Sequence, residues 1–208
     1  MLLTASTGAY QLWQSRIFYY HYERVKREAG PCTEVGGFTR LLTRPKSMAA
    51  DAWPTHLRTI VVDELTQAQT MGFVVLNRPH SVLTALQRGD LVFAEEYVFI
   101  GETDHLLMKP LPNLATRDEA VGYPFHYMEP TRDPRTIALV RRFAGSDAVA
   151  ARVQRVGPSP LLIHQDGLRA LAGECVRPRR RAHVHTGTTA KGSVSRRPDT
   201  RAFRTAYS

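Results

Sequence analysis

The chain has 208 residues, enough for one domain with a real core, and its 43% apolar content is too high for a disordered protein. Of its net charge of +9, seven charges fall in residues 174–208, where nine Lys/Arg stand against Glu174 and Asp199. Residues 1–173 are therefore close to neutral, which argues against a basic nucleic-acid face on the body. Cys32 and Cys175 are too few for a disulfide framework or a zinc motif. No run of about 18 apolar residues is present, so no membrane span is expected, and Met1–Tyr10 has neither the basic start nor the apolar run of a signal peptide.

Leu2-Leu3-Thr4-Ala5-Ser6 has the apolar character of a first buried strand. Ser6, Thr7 and Gly8 are cap-type residues ahead of a helix in which Trp13, Ile17 and Tyr20 recur at helical spacing and are expected to face inward. Arg16, Glu23, Lys26 and Arg27 are expected in solvent, and Gly30-Pro31 stops the helix. Thr59–Asp63 and Tyr97–Gly101 are β-branched and aromatic runs of strand length. Between them a helix is predicted over roughly Asn77 to Arg88, capped by Asn77, with Pro79 in its first turn. Val82, Ala85 and Leu86 form its inward face, and Gly89 closes it. Ile137–Phe143 reads as a helix, Pro160–Ile163 as a strand and Gln165–Ala172 as a helix. Alternating strands and helices predict an α/β layered fold with a mostly parallel sheet. After Gly173 periodicity ends, and 174–208 reads as a disordered Arg-rich tail separate from the 1–173 domain.

In open parallel sheets, ligands bind beyond the carboxyl ends of strands. The candidate site is therefore the segment directly after Tyr97–Gly101, namely Glu102-Thr103-Asp104-His105. An acid-x-acid pair at a strand end places two carboxylates near one point, where a divalent cation relieves their repulsion. Mg²⁺ or Mn²⁺ suits such oxygen ligands and substrate phosphates, and a nitrogen from His105 would favour Mn²⁺. Asn77-Arg78-Pro79 is a second candidate: a helix start offers backbone N–H groups to phosphate, and Arg78 adds a planar donor fork. Gly36-Gly37-Phe38-Thr39-Arg40 is glycine-rich but lacks phosphate-loop spacing, and Tyr19, Tyr20 and Tyr22 read as core and helix-flank aromatics.

Several blocks occur together in order: Tyr10–Tyr20 (YQLWQSRIFYY), Gly37–Leu42, Val61–Asp63, Gly72–Pro79 (GFVVLNRP), Glu102–Leu114 (ETDHLLMKPLPNL) and Gly157–Ile163. Over roughly residues 2–172 this series resembles the hydroxyproline O-arabinosyltransferases, with the peptidyl-serine galactosyltransferases as a related group. The resemblance implies a GT-A-type, Rossmann-like fold, a UDP-sugar donor, a divalent metal and a Golgi setting. It also implies L-arabinofuranose transferred to peptidyl hydroxyproline. On that basis Asp104, Glu102 and His105 are the expected metal site, Thr4 and Ser6 the nucleoside end, and Arg40, Asn77 and Arg78 the diphosphate contacts. No catalytic base is assigned. The family's membrane anchor would lie upstream and its remaining acidic and histidine residues downstream. The chain is thus expected to keep the nucleotide and metal half, with little transferase activity by itself. The competing reading, a nucleic-acid-binding protein acting through the tail, is disfavoured by a single Tyr, a single Phe and no recognisable nucleic-acid module there.

Overall fold

The computed structural model describes residues 1–176, apart from Cys32 and Ala50, together with 203–205. Among these residues the strands are β1 (Leu2–Ser6), β2 (Thr39–Arg44), β3 (Thr59–Asp63), β4 (Tyr97–Glu102), β5 (Ala120–Pro124), β6 (Val156–His164) and β7 (Phe203–Thr205). The helices are α1 (Ala9–Ala29), α2 (Gln67–Thr70), α3 (Asn77–Gln87), α4 (Pro134–Ala144), α5 (Asp147–Ala150) and α6 (Gln165–Val176). All strands join one sheet in the order β3-β2-β1-β4-β6-β5-β7. β1 runs parallel to β2 and β4, and β2 parallel to β3, whereas β6 is antiparallel to both β4 and β5. The α/β expectation holds, and the sheet is mixed. Neither β2 nor β5 stands out in the sequence: β2 carries an arginine in its interior, and β5 contains a glycine and ends on a proline. The expected disordered tail falls mostly outside the described residues. Within its span, α6 runs on to Val176, and β7 pairs parallel to β5.

Strand alternation sorts the core into two layers. Leu2, Leu41, Ile60, Val98 and Ile100 point to one face, where Ala85, Val82 and Leu86 of α3 and Leu168 of α6 cover them. The inward face predicted for α3 is therefore the observed one. Leu3 points to the other face, under Phe18, Tyr22 and Val25 of α1. Gly101 permits this close approach: a Cβ there would lie 3.1 Å from the Phe99 ring and 3.5 Å from that of Phe18.

The face predicted for α1 is corrected by the structure. Trp13, Ile17 and Tyr20 are all exposed, while Gln14, Ser15, Phe18, Tyr22 and Val25 are buried. Both stripes have helical spacing, and only the sheet beneath decides between them. The expected outcome is that Phe18→Ala lowers unfolding free energy by about 3–5 kcal/mol. Ile17→Ala, 38% exposed, should change it by no more than about 0.5 kcal/mol, both read from urea melts.

Of the two N-terminal caps expected, that of α1 holds and that of α3 is corrected. The α1 N-cap is Gly8, one of the three cap-type residues expected there, and being glycine it offers no side-chain cap, while the Thr7 hydroxyl beside it donates to the Thr43 carbonyl. Asn77 does not cap α3: it already has helical backbone angles, following a 3₁₀ turn at Val74–Leu76, and its buried carboxamide oxygen accepts the Leu65 N–H at 2.8 Å. Gly30 and Gly89, both with positive φ, end α1 and α3 as expected. Among the described residues no helix is long and apolar enough to cross a membrane.

A candidate divalent-cation site at the sheet switch point

From β1 the chain builds outward through β2 and β3, then returns to place β4 on the other side of β1. The strand order thus reverses between β1 and β4, and a crevice beyond the carboxyl ends of these two strands is the expected ligand position in such a sheet. Ser6 ends β1, and Glu102 ends β4 with Thr4 as its register partner.

Alternation continues past the end of β4. Glu102 points to the α3 face, like Val98 and Ile100 before it, and meets Arg78 in the first turn of α3. The Arg78 Nη1 and Glu102 Oε1 atoms form a close ion pair, the arginine 38% exposed and the glutamate 11%. Thr103 points to the opposite face, where its buried hydroxyl lies 2.9 Å from the carboxamide oxygens of both Gln11 and Gln14. A hydroxyl has one proton, so one of the two glutamines must turn its amide nitrogen toward Thr103. Gln11 also reaches the Ser6 N–H at 3.5 Å. This network ties the start of α1 to both strand ends. The sequence signal for it is a polar pair spaced i, i+3 on the helix face that Phe18, Tyr22 and Val25 continue.

The turn after β4 closes through the His105 N–H to the Glu102 carbonyl, 3.2 Å. It brings ligand atoms of Glu102, Asp104 and His105 within 4.8 Å of one another. Asp104 is exposed, and its carboxylate makes no hydrogen bond or ion pair among the described residues. Burial pushes the Glu102 carboxyl above its ordinary pKa, with the Asp104 charge adding to this and the Arg78 charge opposing it. Burial also holds His105 below the usual imidazole value, with Asp104 opposing and Arg78 reinforcing the shift. A desolvated carboxylate beside a second one is an arrangement that a divalent cation would stabilise. Two carboxylate oxygens with a nearby imidazole form a donor set compatible with such an ion. His105 Nδ1, however, accepts the Glu102 N–H at 3.2 Å, so neutral His105 carries its proton on Nε2. The two carboxylates can serve as they stand, whereas His105 becomes a ligand only after releasing that bond.

The remaining predicted residues are dispersed. Thr4 is buried at the switch point, but its hydroxyl donates to the Gly101 carbonyl at 2.9 Å and so joins β1 to β4. The Ser6 hydroxyl lies 3.2 Å from that of Thr43 at the crevice edge. Arg78 is inside the cluster, and Asn77 is spent on the loop before α2. Arg40 is the clear correction. It lies near the amino end of β2, on the α1 face with its register partner Leu3, and is fully buried. Its guanidinium forks onto the Asp51 carboxylate at 2.8 and 2.5 Å and stacks 4.6 Å over the Trp53 ring. Its donors hold the β2–β3 connection onto the sheet, away from the crevice.

The fold and this cluster define an α/β protein with a candidate divalent-cation site at its switch point. Residues 1–179 match the hydroxyproline O-arabinosyltransferase family N-terminal domain, and the chain belongs to that family. It is 34% identical over 170 residues to hydroxyproline O-arabinosyltransferase 1 of Arabidopsis thaliana, which covers 82% of the chain and 44% of that protein. To hydroxyproline O-arabinosyltransferase PLENTY of Lotus japonicus it is 37% identical over 171 residues, 82% of the chain and 45% of the relative. Its identity to hydroxyproline O-arabinosyltransferase NOD3 of Pisum sativum is 36% over 171 residues, 82% and 48%. The chain thus spans a little under half the length of the curated relatives it matches.

Proposed function

We propose that this chain forms the donor-diphosphate and metal-binding part of a GT-A-type glycosyltransferase that transfers L-arabinofuranose from a UDP donor to peptidyl hydroxyproline in the Golgi lumen. The observation that carries the reading is the convergence of Glu102, Asp104, His105 and Arg78 at the switch point, in a chain whose relatives are named as hydroxyproline O-arabinosyltransferases. Asp104 and Glu102 would hold a divalent ion, Mn²⁺ in our reading. When bound, that ion neutralises the diphosphate leaving group. Arg78, in the first turn of α3, offers a planar fork to the same diphosphate oxygens. Ser6 lines the nucleoside end of the crevice, and Thr4 keeps β1 and β4 together beneath it. The Gln11–Thr103–Gln14 network holds the turn that presents Asp104. Nucleic-acid binding through the basic tail draws no support from the family match, which points to glycosyl transfer.

Calorimetry of UDP binding in Mn²⁺ and in EDTA tests this. UDP should bind at least about tenfold tighter with Mn²⁺, and equal affinities in the two buffers would refute the assignment.

A further inference from the structure

We infer that Arg78 is a resident stand-in for the divalent cation at Glu102, and that its transfer from Glu102 to the donor diphosphate couples cation binding to nucleotide binding. This rests on the function proposed above and concerns the order in which its charges meet. A buried carboxylate is costly without a cationic or hydrogen-bonding partner. Glu102 has one partner of opposite charge among the described residues, Arg78. Ser159 on β6, 4% exposed, turns its hydroxyl toward the same carboxylate and helps keep it charged. The Asp104 carboxylate, within 4.8 Å of the same point, stands unengaged. The pocket therefore presents one open carboxylate, Asp104, beside a glutamate already matched to a positive charge.

A divalent ion arriving at Glu102 and Asp104 would lie next to the Arg78 guanidinium, and the two positive charges repel. Arg78 is 38% exposed, has no second acidic partner among the described residues, and stands at the positive end of α3. Displaced by the ion alone, it would be left without a partner. Displaced by an ion carrying a diphosphate, it acquires one at once, and each ligand supplies what the other needs. By linkage, the factor by which UDP tightens the cation equals the factor by which the cation tightens UDP.

The test measures binding of Mn²⁺ alone, UDP alone and each in the presence of the other, by calorimetry. The proteins are wild type, Arg78→Gln and Arg78→Lys, with circular dichroism to establish folding. Without the stand-in charge, Arg78→Gln should bind Mn²⁺ alone about tenfold tighter than wild type, and its coupling factor should fall about tenfold. Arg78→Lys keeps a positive charge and should bind Mn²⁺ alone within about threefold of wild type. Arg78→Gln binding Mn²⁺ alone no tighter than wild type would overturn the inference while leaving the proposed function intact. Wild type binding UDP equally with and without Mn²⁺ would instead remove the function beneath it. Should Arg78→Gln fail to fold, the Arg78 side-chain NMR signal in wild type decides: movement on adding Mg²⁺ with UDP supports the hand-over, and an unmoved signal overturns it.

Discussion

Arg40→Ala is expected to lower the unfolding free energy by about 3–5 kcal/mol, the usual cost of removing one member of a buried ion pair. The arginine is fully enclosed and grips Asp51 with both terminal nitrogens, while its flat face lies on Trp53. Trp53 in turn stacks on Phe38 and meets Tyr19 of α1 edge-on. The Arg16 guanidinium holds the same connection through the Ala52 carbonyl at 2.6 Å. Without Arg40 the Asp51 carboxylate, 11% exposed, loses its partner, and Trp53 loses one side of its packing. The double variant Arg40→Met/Asp51→Leu should recover most of the loss, since a well-packed apolar pair avoids the desolvation cost of both charges. Urea denaturation measures both. Under conditions where Arg40→Ala is folded, UDP affinity should match wild type, and a tenfold loss there would show that Arg40 reaches the donor after all.

Asp104→Asn should abolish the advantage that Mn²⁺ gives to UDP binding, a loss of about 100-fold in metal affinity. The substitution keeps the shape and removes the one carboxylate of the cluster that is both exposed and unengaged. Because nothing in the fold leans on that carboxylate, stability should stay within about 0.5 kcal/mol of wild type. Calorimetry with and without Mn²⁺, alongside a thermal melt, separates the two effects. Full retention of the Mn²⁺ advantage would take Asp104 out of the site. Glu102→Gln is the less clean variant, since Glu102 is half of the Arg78 pair and its loss disturbs α3 as well.

The sequence by itself determined the features that depend on neighbours in the chain. The β1, β3 and β4 runs, the inward face of α3 and the glycine stops of α1 and α3 come from local pattern and backbone freedom. So does the acid-x-acid turn after β4, because one strand's alternation continues into it. Tertiary structure alone decided which aromatic stripe of α1 turns inward, since Trp13-Ile17-Tyr20 and Phe18-Tyr22-Val25 have equal helical spacing. It also decided the partners of the buried polar groups. Arg40 and Arg78 are both arginines near candidate phosphate-binding segments, yet one is enclosed by Asp51 from a loop eleven residues on, and the other meets Glu102 across the crevice. A buried charge is stable only beside a partner, and that partner is chosen by which chain segments the fold brings together, a distance no local pattern encodes.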